Sequence, residues 1–128
     1  MSTEIEKLTQ ILRDSNNIAF FGGAGVSTES GIPDFRSSNG LYSEKLHVNF
    51  TPEQLVSHSF YIRYPEEFFN FYKAKLIYPE AKPNDAHRAL AKLEEIGKLK
   101  AVITQNIDGL HQAAGSKHVY ELHGSVLR

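Results

Sequence analysis

Three short apolar runs, Ile18–Phe21, Lys100–Thr104 and His118–Leu122, each break off into text that a buried segment would not carry. The first gives way to Gly22-Gly23-Ala24-Gly25, the second to Gln105-Asn106-Ile107-Asp108, the third to His123-Gly124. Short apolar runs bounded by such text are the pattern of strands buried on both faces. Helical text separates them, so the sheet is parallel with right-handed crossovers, and the fold class is α/β. Ligands of such sheets bind beyond the carboxyl ends of the strands. All three unusual segments therefore converge on one rim.

The helices follow from caps and periodicity. Thr3 and Glu6 form a capping box, and Ile5, Leu8, Ile11 and Leu12 share one face, which predicts a helix over 3–15. Thr51-Pro52-Glu53-Gln54 starts another helix, and Pro65-Glu66-Glu67 a third, with Phe68, Phe69, Tyr72 and Leu76 as its apolar stripe. That stripe reads as packed core and not as an aromatic binding box. Residues 40–82 hold five of the six Tyr and look like a small helical insertion. Asn84 caps a helix with Ala86, Leu90, Leu93 and Ile96 inward and Gly97 as its stop. Asp108 caps a short helix that ends at Gly115.

Composition narrows the partners. With 128 residues the chain holds one domain with a real core. A net charge of −1 supplies no general attraction to nucleic acid or anionic membrane, so neither is expected as a partner. There is no Cys, hence no disulfide and no thiolate metal site, and no metal ligand is assigned. The first fifteen residues lack a signal-peptide layout and no apolar run reaches membrane-spanning length, so a cytoplasmic location is expected. No G-x-S-x-G elbow and no G-x-x-x-x-G-K-[ST] loop is present, against a serine hydrolase and a P-loop nucleotidase.

The rim residues suggest a polar ligand. Gly23, Ala24 and Gly25 let backbone approach a ligand closely, and a turn between strand and helix offers N–H groups to phosphate; the same text also serves a tight structural turn. Thr28 stands where G-x-G-x-x-G has its third glycine. Ser27 and Thr28 can bond phosphate or ribose, or cap a helix. Asp34-Phe35-Arg36 follows a Gly-Ile-Pro turn: Phe35 could cover a flat ring and Arg36 meet phosphate, or both could pack on the surface. Asn106 and Asp108 suit a ligand bearing an amide or sugar hydroxyls, and Asp108 can cap as well. His123, at a strand end beside a glycine, is the candidate general base. His47, His58, His87, His111 and His118 are read as structural or surface residues.

GAGVSTESGIPDFR at 23–36, PNDAH at 83–87, TQNIDGLHQAAGS at 104–116 and ELHGS at 121–125 together resemble the sirtuins, NAD-dependent protein lysine deacylases, in the compact bacterial form. The resemblance implies a Rossmann-like sheet split as 1–39 plus 83–128, with 40–82 inserted. It implies that Ala24, Thr28, Phe35 and Arg36 line an NAD pocket, with Phe35 near nicotinamide. Gln105 would touch the nicotinamide ribose, Asn106 that ribose or an ordered water, and Ile107 and Asp108 the carboxamide. His123 would be the catalytic base. In the family reaction the carbonyl oxygen of an acyl-lysine peptide attacks the ribose, nicotinamide leaves, and the acyl group passes to ADP-ribose.

The sequence also departs from that family. Its members continue with two Cys-x-x-Cys pairs that hold a structural zinc, then with the second half of the Rossmann-like sheet. The sequence stops at Arg128, so an incomplete sheet, an exposed strand edge and weak stability are expected. Tyr72-Lys73-Ala74-Lys75 has Lys where relatives that take acidic acyl groups have Arg, so acetyl-lysine is the expected substrate. A catalytically inactive module that binds NAD or ADP-ribose is the alternative reading.

Overall fold

The structure, a computed structural model, describes residues 3–34 and 52–127. The elements run α1 (Thr3–Asp14), β1 (Ile18–Gly22), a 3-10 helix (Ala24–Ser30), α2 (Pro52–Leu55), α3 (His58–Arg63), α4 (Pro65–Lys75), α5 (Asp85–Glu95), β2 (Leu99–Thr104), α6 (Leu110–Ala113) and β3 (Val119–Glu121). The three strands form one parallel sheet in the order β1-β2-β3. The α/β class and the shared rim at the strand ends follow directly from the three apolar runs.

Register assigns the two faces. Phe20, Val102 and Val119 stand side by side on one face, and Val102 is fully buried there. This face meets α5, and the Phe20 ring lies 5.9 Å from His111 of α6. One residue along, Phe21, Ile103 and Tyr120 form the row on the opposite face. Among the described residues that row is open at both ends, with Phe21 61% and Tyr120 57% exposed and Ile103 half-buried between them. The apolar stripe of α1 is open as well, with Ile5, Leu8 and Ile11 all more than half exposed.

Polar groups fasten the elements to one another. Lys98 Nζ donates to the carbonyls of Arg13 and Ser15, tying the end of α1 to the start of β2. Glu94 near the end of α5 accepts from the backbone N–H groups of Lys117 (2.8 Å) and His118 (3.2 Å), which sets where β3 begins. Gly97 ends α5 at φ 85°, a left-handed conformation that a side chain would strain.

Helices α2 to α4 build their own cluster, in which Leu55, Phe60 and Phe71 are buried and Val56, Tyr64, Phe68 and Leu76 pack around them. The stripe is thus packed core, but its membership differs from the expected set. Phe71 points inward and Phe69 is 44% exposed, because the buried face of α4 follows Phe68, Phe71 and Leu76. In α5, Ala86 and Ile96 are exposed and Leu90 and Leu93 half-buried, while His87 is fully buried. Thr51, expected as the cap of α2, lies outside the described residues.

Two outcomes follow. Glu94→Ala should cost about 1–2 kcal/mol at neutral pH, the worth of a carboxylate accepting two backbone donors. Those bonds, against the desolvation that opposes them, hold the Glu94 carboxyl below its ordinary value of 4.5. A depressed carboxyl stabilises the fold above its unfolded value and loses that contribution as pH falls, so urea unfolding should show the variant's deficit shrinking below about pH 4. The open sheet face should also drive concentration-dependent self-association, which Tyr120→Glu should reduce in sedimentation velocity.

Candidate functional site

Each strand delivers one part of the rim. β1 ends at Gly22 and the chain turns through Gly23, extended at φ −129°, into the 3-10 helix. A Cβ on Gly23 would stand 2.9 Å from Gln105 Oε1, so the turn is pressed against the segment leaving β2. A Cβ on Gly25 would meet nothing within 4 Å, which leaves the backbone there open to a ligand. The turn leads straight into the 3-10 helix, whose opening N–H groups have no helical acceptor ahead of them.

Ser27 is the centre of the arrangement, a role beyond the ligand contact or helix cap that its sequence position suggests. It is 1% exposed. Its hydroxyl donates to Asp108 Oδ2 at 2.6 Å and accepts from Asn106 Nδ2 at 3.2 Å. His87 Nε2 lies 3.3 Å away. His87 Nδ1 accepts from the Asn84 backbone N–H at 3.1 Å, so the ring proton sits on Nε2 and points to Ser27. The other Asp108 oxygen accepts from Leu110 N–H at 3.0 Å. The N-cap of α6 is thus Gly109 and not Asp108, whose side chain instead bonds the first helical N–H from one residue further back and holds Ser27 with its other oxygen.

The PNDAH segment positions His87. The Asn84 side chain accepts from the N–H groups of Ala86 and His87, and the His87 ring returns the bond to Asn84 N–H: a capping box. Asn84 Nδ2 also donates to the Val26 carbonyl (2.8 Å) and to Ser30 Oγ (3.0 Å), which pins the 3-10 helix to the start of α5. His87 is a site residue that sequence reasoning set aside; its place three residues after the helix-capping Asn84 was the available signal. His111 is also fully buried, its ring 4.9 Å from that of His87.

Burial pushes both imidazoles below their ordinary value of 6.5; Asp108 opposes this for each, while Arg88 adds to it for His87 and the neighbouring His87 adds to it for His111. Geometry agrees for His87: a proton on Nδ1 would face the Asn84 N–H, donor against donor. Both rings are neutral at physiological pH.

His123 stands exposed on the same rim. Its Nδ1 lies 3.0 Å from the Gln105 carbonyl, which can only accept, so Nδ1 carries the proton and the Nε2 lone pair is free to take another. Gly124 turns the chain at φ 84° just beyond. Gly23, Ala24, Gly25, Gln105, Asn106, Ile107, Asp108 and His123 all lie on the segments that leave the strand ends. Thr28 is on the 3-10 helix, but its hydroxyl donates back to the Gly25 carbonyl at 3.0 Å. Phe35 and Arg36 lie outside the described residues. An open depression lined by Glu29, Ser30, Glu80, Lys82, Asn84 and Arg88 lies beside the rim but includes none of Gly23, Asn106, Asp108 and His123. No group of three metal-ligating side chains occurs among the described residues, and no described helix is long and apolar enough to cross a membrane.

Comparison with known proteins places this geometry. Residues 23–128 match the model of the Sir2 family. An NAD-dependent protein deacetylase of Clostridium perfringens is 79% identical over 128 residues, covering the whole chain and 52% of that protein. A solved structure described as the structural basis for the mechanism and regulation of Sir2 enzymes superposes with a TM-score of 0.86 at 48% identity, covering 98% of this chain and 48% of the other. Another holds a Sir2 variant with a deacetylated p53 peptide and 3'-O-acetyl ADP-ribose, at TM-score 0.85 and 48% identity, covering 95% of this chain and 48% of that one. The chain spans about half the length of the relatives it matches. With its Rossmann-like parallel sheet and the motif segments gathered at one rim, the chain belongs to the Sir2 family.

Proposed function

We propose that this chain supplies the nicotinamide-ribose part of the active site of an NAD-dependent protein lysine deacetylase, acting on an acetyl-lysine peptide in the cytoplasm. The observation that carries the reading is the Ser27–Asp108–Asn106–His87 cluster set beside a histidine with a free Nε2. The domain division 1–39 plus 83–128, with 40–82 inserted, belongs to the same proposal.

The donor set suits NAD. Gly23, Ala24 and Gly25 present backbone to phosphate, with open space at Gly25. Gln105 and Asn106 offer amides to ribose hydroxyls. Asp108, held by Ser27 and Leu110, keeps lone pairs for a carboxamide, and Ile107 supplies backbone next to it. Thr28, Phe35 and Arg36 are assigned to the same pocket from the family pattern. NAD bound here would supply an activated glycosidic carbon as acceptor for the acyl oxygen.

The protein's own work is to orient and to move one proton. Burial of Ser27 lets its hydrogen bonds to Asp108 and Asn106 act away from bulk water, where they are stronger. His123, anchored through Nδ1, takes a proton from a ribose hydroxyl on Nε2. The sequence has no Cys to hold the zinc of the family, and no step is assigned to a metal.

Titration of NAD and ADP-ribose into the chain should show binding, and Asp108→Ala should weaken it about tenfold, the worth of one charge-assisted hydrogen bond. His123→Ala should leave NAD affinity within a few fold and abolish any acetyl transfer from an acetyl-lysine peptide, followed by mass spectrometry. Transfer that survives His123→Ala would overturn the assignment of the base. Binding without transfer in the parent chain would favour the NAD-binding module without activity.

NAD affinity should also stay level as pH drops through 6.5. Burial holds His87 below its ordinary value, so the folded ring is still neutral there, and affinity should fall only at lower pH, once that ring takes a proton. A fall centred at or above pH 6.5 would contradict a neutral, buried His87 at the site.

A further inference from the structure

His87 is held by two hydrogen bonds at opposite ring nitrogens, one of them long at 3.3 Å. Such a pair leaves one freedom, a rocking of the ring about the line joining the two nitrogens. A second ring blocks it: His111 stands 4.9 Å away at an interplanar angle of 72°. His111 is itself backed by Phe20 of β1 at 5.9 Å. Its ring nitrogens have no hydrogen-bond partner among the described residues, so the ring contact is what it offers.

The four residues close a circuit. Asp108 holds Ser27, Ser27 meets His87, His87 meets His111, and His111 lies three residues after Asp108 on the same turn. One short segment thus grips the Ser27–His87 pair from both ends. We propose that His111 is a positioning residue, whose ring fixes His87 in the orientation that aims Nε2–H at Ser27. Its significance for NAD rests on the proposed function above; the positioning itself does not.

The consequence is a specific order of variants. His111→Phe keeps a ring and removes two unpartnered buried nitrogens, so it should preserve the His87 geometry with a melting temperature equal to the parent's or higher. His111→Leu removes the ring while keeping an apolar side chain and should free His87.

The test is carried out on the 128-residue chain with nitrogen-15-labelled histidine. Long-range proton–nitrogen spectra report which His87 nitrogen is protonated, and ADP-ribose is titrated as the probe. The parent and His111→Phe should show His87 as the single Nε2–H form. His111→Leu, and His111→Ala where it folds, should show averaged tautomers with ADP-ribose binding weakened about three- to tenfold. An unchanged His87 signal in His111→Leu would overturn the proposal, as would His111→Phe behaving like His111→Leu. If the parent binds no ADP-ribose, the NAD reading fails, and the His87 spectra still decide the positioning role.

Discussion

The Ser27 hydroxyl joins segments that are 60, 79 and 81 residues apart in the chain. It is buried, donates one hydrogen bond and accepts from two groups, which uses its full capacity. An orphaned hydroxyl at that position would cost as much as the bonds it now makes, so the three segments stand or fall together. Asn84 adds a second tie between the 3-10 helix and α5. The rim is thus a cross-linked unit and not three loops that happen to be close.

The sheet beneath explains why these segments can meet at all. Parallel register puts the ends of β1, β2 and β3 at one edge, with Gly22 level with Thr104 and Thr104 level with Glu121. The face toward α5 and α6 is buried, and the face carrying Phe21, Ile103 and Tyr120 is open among the described residues. One consequence is an asymmetry of stability. The site hangs from the packed side of the sheet, while the open side is where association would begin.

Much of this was legible in the sequence because the signals were local. A glycine run after an apolar run gave β1 and its turn, and the Asn84 cap gave the start of α5. Other features depend on distant partners. The spacing of His87 from Asn84 marks its part in the cap but not its burial, and His111 has no local mark; their environment comes from α5 packing against α6 and, for His87, from Ser27 sixty residues away. Phe69 and Phe71 are equally apolar neighbours, and only the packing of α2, α3 and α4 decides which turns inward. Ile96 reads as a core position by spacing, yet it sits at the end of α5 where the chain turns away at Gly97.

The most direct measurement is a map of backbone amide shifts as ADP-ribose is added to the chain. The account predicts that the shifts concentrate at Gly23–Thr28, Gln105–Asp108 and Leu122–Gly124, with α3 and α4 unmoved. Shifts centred instead on Glu29, Glu80, Lys82 and Arg88 would place the ligand in the neighbouring depression and contradict it.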